Sequence, residues 1–125
     1  DGFEIDTVAA YGDDDVERLM VDERIIRNRQ KVLATIANAR VTAQLIRDRP
    51  GALDELIWSF APTIRTRRPR TWADIPAITP ESEALSAALR KMGFRFVGPT
   101  TMYALMQSAG LVDDHLADCW RASGA

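Results

Sequence analysis

The chain is poor in the residues that staple folds and carry out covalent chemistry. It holds one cysteine and one histidine in 125 residues. A single cysteine excludes an internal disulfide and points to a reducing, cytoplasmic setting. A single histidine leaves Ser59, Ser82, Ser86 and Ser108 with one base among them, and no nucleophile–base set emerges. No apolar run approaches the ~20 residues needed to span a bilayer, which argues against a membrane protein. A phosphate-binding P-loop and a dinucleotide glycine fingerprint are both missing. So are alternating strand patterns, internal repeats and low-complexity tracts. The opening "DGFEIDTVAAYGDDDVERL" has no basic start and no apolar core, so it does not read as a signal peptide. It reads as the middle of a longer chain.

What is present is an ordinary globular composition, 46% hydrophobic and 27% charged, enough for one compact domain over residues 1–125. The net charge of −2 is unevenly spread. Residues 1–23 carry nine acids against Arg18 alone, whereas residues 24–112 carry fourteen Lys/Arg against six acids. A basic body with an acidic end is compatible with a polyanion-binding face, and equally with arginine-rich helices in solvent.

The pattern predicts an all-α helical bundle. Asp6 and the cluster Asp13–Asp15 are N-cap candidates for two short helices. From Glu23 to Asp48, the residues Ile25, Val32, Ile36, Ala39, Ala43 and Ile46 form a stripe at helical spacing. Pro50 and Gly51 end that helix. "ALDELIWSF" gives a shorter one with Leu53, Leu56, Ile57 and Phe60 inward. Residues 61–80, with four prolines and four arginines, read as a long ordered loop with a turn near Trp72–Ile75. Pro80 opens a helix that Gly93 closes; Pro99 opens the next, which Gly110 closes. A last helix is expected from Asp113 or Asp114. Tyr103, Leu105 and Met106 read as core.

Between two of these helices lies "GFRFVG", residues 93–98. Glycine lets another backbone approach closely. The first amides of the helix after Pro99 lack intrahelical partners, and with the helix dipole behind them they suit an anion such as phosphate. Phe94, Phe96 and Val97 are expected to turn inward and fix the hairpin, with Arg95 outward. An ordinary packed helical hairpin remains open as the alternative. Near the end, "DDHLADCW" places His115 and Cys119 four apart, on one face if helical. That spacing suits two zinc ligands, but a structural zinc site takes four, and the chain has no other histidine or cysteine. A buried thiol on an amphipathic helix end is the plainer alternative. Asp113 and Asp114 are carboxylates that read as caps more readily than as catalysts.

The segments "RIIRNRQKVLATIANAR", "LIWSF" and "TPESEALSAALRKMGFRFVGPTTMYALMQSAGLVDDHLADC" resemble the DNA-3-methyladenine glycosylase I family of the helix-hairpin-helix superfamily. The resemblance covers nearly the whole chain but only about the last two-thirds of family members. It implies a helical bundle with a helix-hairpin-helix element, lacking its N-terminal part. The implied partner is double-stranded DNA containing alkylated adenine, and the implied reaction is hydrolysis of the N-glycosidic bond of 3-methyladenine. Gly93, Arg95, Gly98, Thr100 and Thr101 become the implied DNA-backbone contacts, and His115 and Cys119 two of four ligands to a structural zinc. The other two ligands and the base-holding residues belong to the family's N-terminal part, so no catalytic residue is assigned here. Exposed apolar surface and self-association are expected to follow. A non-catalytic DNA-binding module is the alternative function.

Overall fold

A computed structural model describes residues 1–63 and 68–122. Residues 64–67, part of the expected long loop, lie outside the described residues. Six α-helices form, with no strand among the described residues: α1 (Ile5–Ala9), α2 (Asp13–Met20), α3 (Arg29–Asp48), α4 (Ala52–Ser59), α5 (Pro80–Lys91) and α6 (Pro99–Ala109). The expected all-α class holds. A single 3-10 turn, Trp72–Asp74, stands where the loop was expected to turn.

The helix starts follow local chemistry, with three shifts from expectation. α1 is capped by Glu4, whose carboxylate accepts from the Thr7 amide at 2.9 Å; Asp6 is the second residue of the helix. α2 starts after Gly12, and Asp15 folds back to accept from the Gly12 amide at 3.0 Å. α3 begins at Arg29 rather than Glu23, because Asn28 caps it through the Lys31 amide. Ile25, counted on the α3 stripe by spacing, therefore lies outside the helix and is exposed. Ile46, at the other end of the stripe, is exposed too. At α5, Thr79 and Ser82 cap each other reciprocally, amide to hydroxyl, at 2.9 and 3.2 Å.

The chain divides into two compact units. The first comprises Asp1–Glu55 and Leu89–Phe96. Its core is Val8, Val16 and Ile36, with Tyr11, Met20, Val32 and Ala39 packed on them, so α1 and α2 close over one face of α3. Arg40 ties the same helices together by donating to the carbonyls of Ala9 (3.0 Å) and Tyr11 (2.7 Å). The second unit comprises Leu56–Ala88 and Val97–Ala125. Its most buried side chains are Leu85, Met106, Ser82 and Ser86, joined in burial by Val97, Met102, Tyr103 and Leu111. Leu53, Leu56, Ile57 and Phe60 are only half-buried, so α4 contributes no fully buried side chain.

The expected helix from Asp113 or Asp114 does not form; residues 111–122 are bends, turns and irregular backbone. Asp113 and Asp114 spend their carboxylates on distant partners instead of a helix start. Asp113 accepts from Arg68 at 3.3 Å and from its own neighbour, the His115 amide, at 3.1 Å. Asp114 accepts from the Tyr103 hydroxyl and from Gln107 at 3.0 Å.

Candidate nucleic-acid interface

α5 ends as its sequence demands. Gly93 takes φ +98, a left-handed conformation that an L side chain rarely adopts. Its amide donates to the Arg90 carbonyl at 3.0 Å, and the Phe94 amide reaches back to Leu89 at 3.1 Å. This pair of bonds is a Schellman closure, and it satisfies two carbonyls of the last turn. A Cβ at Gly93 would meet only Val41 Cγ2 at 3.5 Å, an ordinary contact. The glycine is therefore required by its backbone angle, not by crowding.

Two residues on, the chain is gripped from α3. The Asn38 side chain donates from Nδ2 to the Arg95 carbonyl at 2.9 Å and accepts at Oδ1 from the Arg95 amide at 2.8 Å. Arg95 itself is exposed, and its guanidinium has no partner among the described residues. Phe94 is half-buried, whereas Phe96 is 55% exposed at φ +57. Phe96 therefore does not turn inward. The amides of Gly93, Phe94 and Arg95 are all engaged within the first unit, so none of them is offered to a ligand.

In the second unit, α6 starts differently. Gly98 is the N-cap at φ −60 and ψ 162, angles open to any residue, and Pro99 takes the first helical position. The first amide to close a helical bond is Met102, donating to the Gly98 carbonyl at 2.8 Å. The Thr100 and Thr101 amides have no acceptor among the described residues, and both residues are exposed. Unpaired amides at the positive end of an eleven-residue helix form an anion-accepting feature.

His115 and Cys119 come together, though not on a helix. The Ala117 amide donates to the Pro69 carbonyl at 2.9 Å and the Cys119 amide to Leu116 at 2.9 Å, which folds residues 115–119 into a turn. His115 Nδ1 then lies 3.8 Å from Cys119 Sγ. Two ligands on one tetrahedral zinc are separated by about 3.5 Å, given the usual Zn–N and Zn–S lengths, so the pair fits two corners of such a site. No group of three or more potential ligands occurs among the described residues.

Charge is distributed more evenly than the linear sequence suggests. The first unit holds 12 acids and 11 basic residues, and the second 6 and 5, so each nets −1. The acidic N-terminal segment neutralises α3 directly: Glu17 pairs with Arg29 at 2.8 Å and Asp6 with Arg47 at 4.0 Å. The basic excess of residues 24–112 is thus not a basic unit. No helix among the described residues is long and apolar enough to cross a membrane.

Asn38 and the Asp113–Asp114 partners were not legible as site residues from sequence. A polar side chain set between Ile36 and Ala39 on an apolar stripe was the available signal for Asn38. Tyr103 read correctly as buried, but its hydroxyl partner did not.

Six helices, with no strand among the described residues, define an all-α protein, and one helix start leaves two amides unpaired. Comparison narrows it. The methyladenine glycosylase family model matches residues 1–122, and the chain belongs to that family. DNA-3-methyladenine glycosylase 1 of Escherichia coli (strain K12) is 44% identical over 113 residues, covering 90% of this chain and 60% of that protein. A crystal structure of 3-methyladenine DNA glycosylase I superposes with a TM-score of 0.89 at 38% identity, covering 97% of this chain and 66% of that one. A variant of 3-methyladenine DNA glycosylase I in complex with 3-methyladenine gives 0.86 at 28% identity, over 98% of this chain and 66% of that one. The chain thus spans 60% of the length of the Escherichia coli relative.

Proposed function

We propose that the whole protein excises 3-methyladenine from alkylated double-stranded DNA, and that these 125 residues supply its DNA-backbone grip and scaffold. The observation that carries this reading is the start of α6, where the Thr100 and Thr101 amides stand unpaired beside an N-cap glycine. In a family of methyladenine glycosylases, a DNA phosphate is the anion such a feature serves. α5, the 92–98 connection and α6 are the segment we assign as the helix-hairpin-helix element. In the first unit, Arg95, exposed and without a partner among the described residues, is a separate cation available to the DNA backbone.

The chemistry follows from the substrate. Methylation at N3 leaves adenine cationic, and a cationic base departs readily. The nucleotide must first leave the stack, at a cost of about a few kcal/mol. Water then attacks a sugar carbon with oxocarbenium character. Asp113 and Asp114 are poor candidates for activating that water, since Arg68 holds one and Tyr103 with Gln107 the other. Their geometry is that of struts. His115 and Cys119 would hold a structural zinc ion as two of its four ligands, tying down the C-terminal segment.

The test has two arms. The 125-residue chain should bind duplex DNA with an affinity that falls steeply with salt, and should release no base from methylated DNA. Absence of binding at low salt would sink the DNA reading. Release of 3-methyladenine by this chain would show that its own residues suffice for catalysis. A non-catalytic DNA-binding module predicts the same binding; it is favoured if a protein that contains this chain at the full length of its relatives also fails to release base. Purified chain should contain well under one zinc per molecule, and stoichiometric zinc by elemental analysis would contradict a two-ligand site.

A further inference from the structure

We infer that Asn38 is a positioning residue for the DNA grip: it acts through the main chain of Arg95 and touches no nucleic acid itself. This rests on the proposed function and deepens it. The Asn38 carboxamide donates one hydrogen bond and accepts another, both with the main chain of Arg95, 57 residues away, at 2.9 and 2.8 Å. Such two-point pairing fixes the orientation of the Arg95 backbone as well as its place. The segment needs that hold. The next residue, Phe96, sits in the left-handed region at φ +57 with its ring largely in solvent, and packing does little to compensate. A non-glycine residue is strained there. Among the described residues, Asn38 is the only side chain that hydrogen-bonds the main chain of residues 93–97.

The platform is equally fixed. Asn38 lies mid-way along the twenty-residue α3, two positions from the buried Ile36 and five from the buried Ala43. The Thr42 hydroxyl returns to the Asn38 carbonyl at 2.8 Å. The Schellman bonds of Gly93 and Phe94 set the chain on one side of Arg95, and Asn38 sets Arg95 itself. With its backbone clamped, the Arg95 side chain is presented outward on a preorganised loop, and less ordering is left to the moment of binding.

The test is a double-mutant cycle on the 125-residue chain, using duplex DNA at low salt and fluorescence anisotropy. Asn38→Ala should weaken binding about tenfold in the unaltered background and less than twofold when Arg95→Ala is already present. Asn38→Asp keeps the acceptor and loses the donor, so it should fall between, and it serves as the second variant if Asn38→Ala folds poorly. Amide hydrogen exchange at Arg95 should accelerate in both variants while the α3 interior stays protected. Equal weakening in both backgrounds would mean that Asn38 acts on the fold at large. Full affinity with a deprotected Arg95 amide would mean that the clamp is irrelevant to the grip. Either result overturns the inference while leaving the DNA reading intact; no duplex binding by the unaltered chain overturns both.

Discussion

Gly98→Asp separates stability from function because the two should move in opposite directions. Gly98 sits at φ −60 and ψ 162, so an L residue meets no backbone penalty there. As N-cap of α6 it has no side chain to offer the Thr100 and Thr101 amides. Aspartate can accept from them and also places a negative charge at the positive end of the helix. Replacing a glycine N-cap with aspartate contributes a few tenths of a kcal/mol through capping, with roughly 0.3–1 kcal/mol more from the dipole. For a chain of this size, about 0.5–1 kcal/mol raises Tm by about 2–4 °C. The same carboxylate takes the amides that a phosphate would use and repels the phosphate. Loss of one charge-assisted contact is worth roughly 1.5–3 kcal/mol, or at least about tenfold in affinity. One fewer phosphate contact should also reduce the salt slope of log affinity by about 0.9. Thermal denaturation and anisotropy titrations at several salt concentrations measure both quantities. A variant that melts higher yet binds DNA as tightly as the parent, with an unchanged salt slope, would remove α6 from the interface.

Ser86 is buried with its hydroxyl lacking a partner among the described residues, so Ser86→Ala should be neutral or stabilising by up to about 1 kcal/mol; a clear loss in chemical denaturation would reveal a hidden partner. Leu85 is wholly inaccessible, and Leu85→Ala should cost about 2–5 kcal/mol by the same measurement. Hydrogen bonds from the Arg24 side chain and amide lower the Asp22 carboxyl from the ordinary 3.8 to about 2. Its contribution to stability is therefore present above about pH 4 and fades as pH falls toward 2. Carboxyl titration by NMR should place its midpoint well below that of an unpaired aspartate, and Asp22→Asn should flatten that part of the acid limb.

What the sequence revealed was local, and what it concealed was paired at a distance. Gly93, Pro99 and Gly110 mark helix boundaries because backbone angle and missing amides act within a few residues, and the structure puts Gly93 and Gly110 at positive φ as those roles require. The start of α3 was misplaced for an equally local reason that spacing ignores. Asp22 accepts from the Arg24 amide at 3.0 Å, drawing residues 22–24 into a side-chain turn that competes with helix. The C-terminal segment is the opposite case. Asp113 and Asp114 look like helix caps until Arg68, 45 residues away, and Tyr103 with Gln107 claim their carboxylates. No periodicity encodes those partners. His115 and Cys119 do meet, but through a turn held by Pro69, so the four-residue spacing reached the right neighbour by the wrong geometry. The same division runs through the two proposed DNA contacts, one in each unit. The unpaired amides of α6 follow from Gly98-Pro99 and could be read directly, whereas the presentation of Arg95 depends on an asparagine in a helix 57 residues earlier. A substitution scan confined to the 93–101 segment would therefore miss the residue on which the pose of its exposed cation depends.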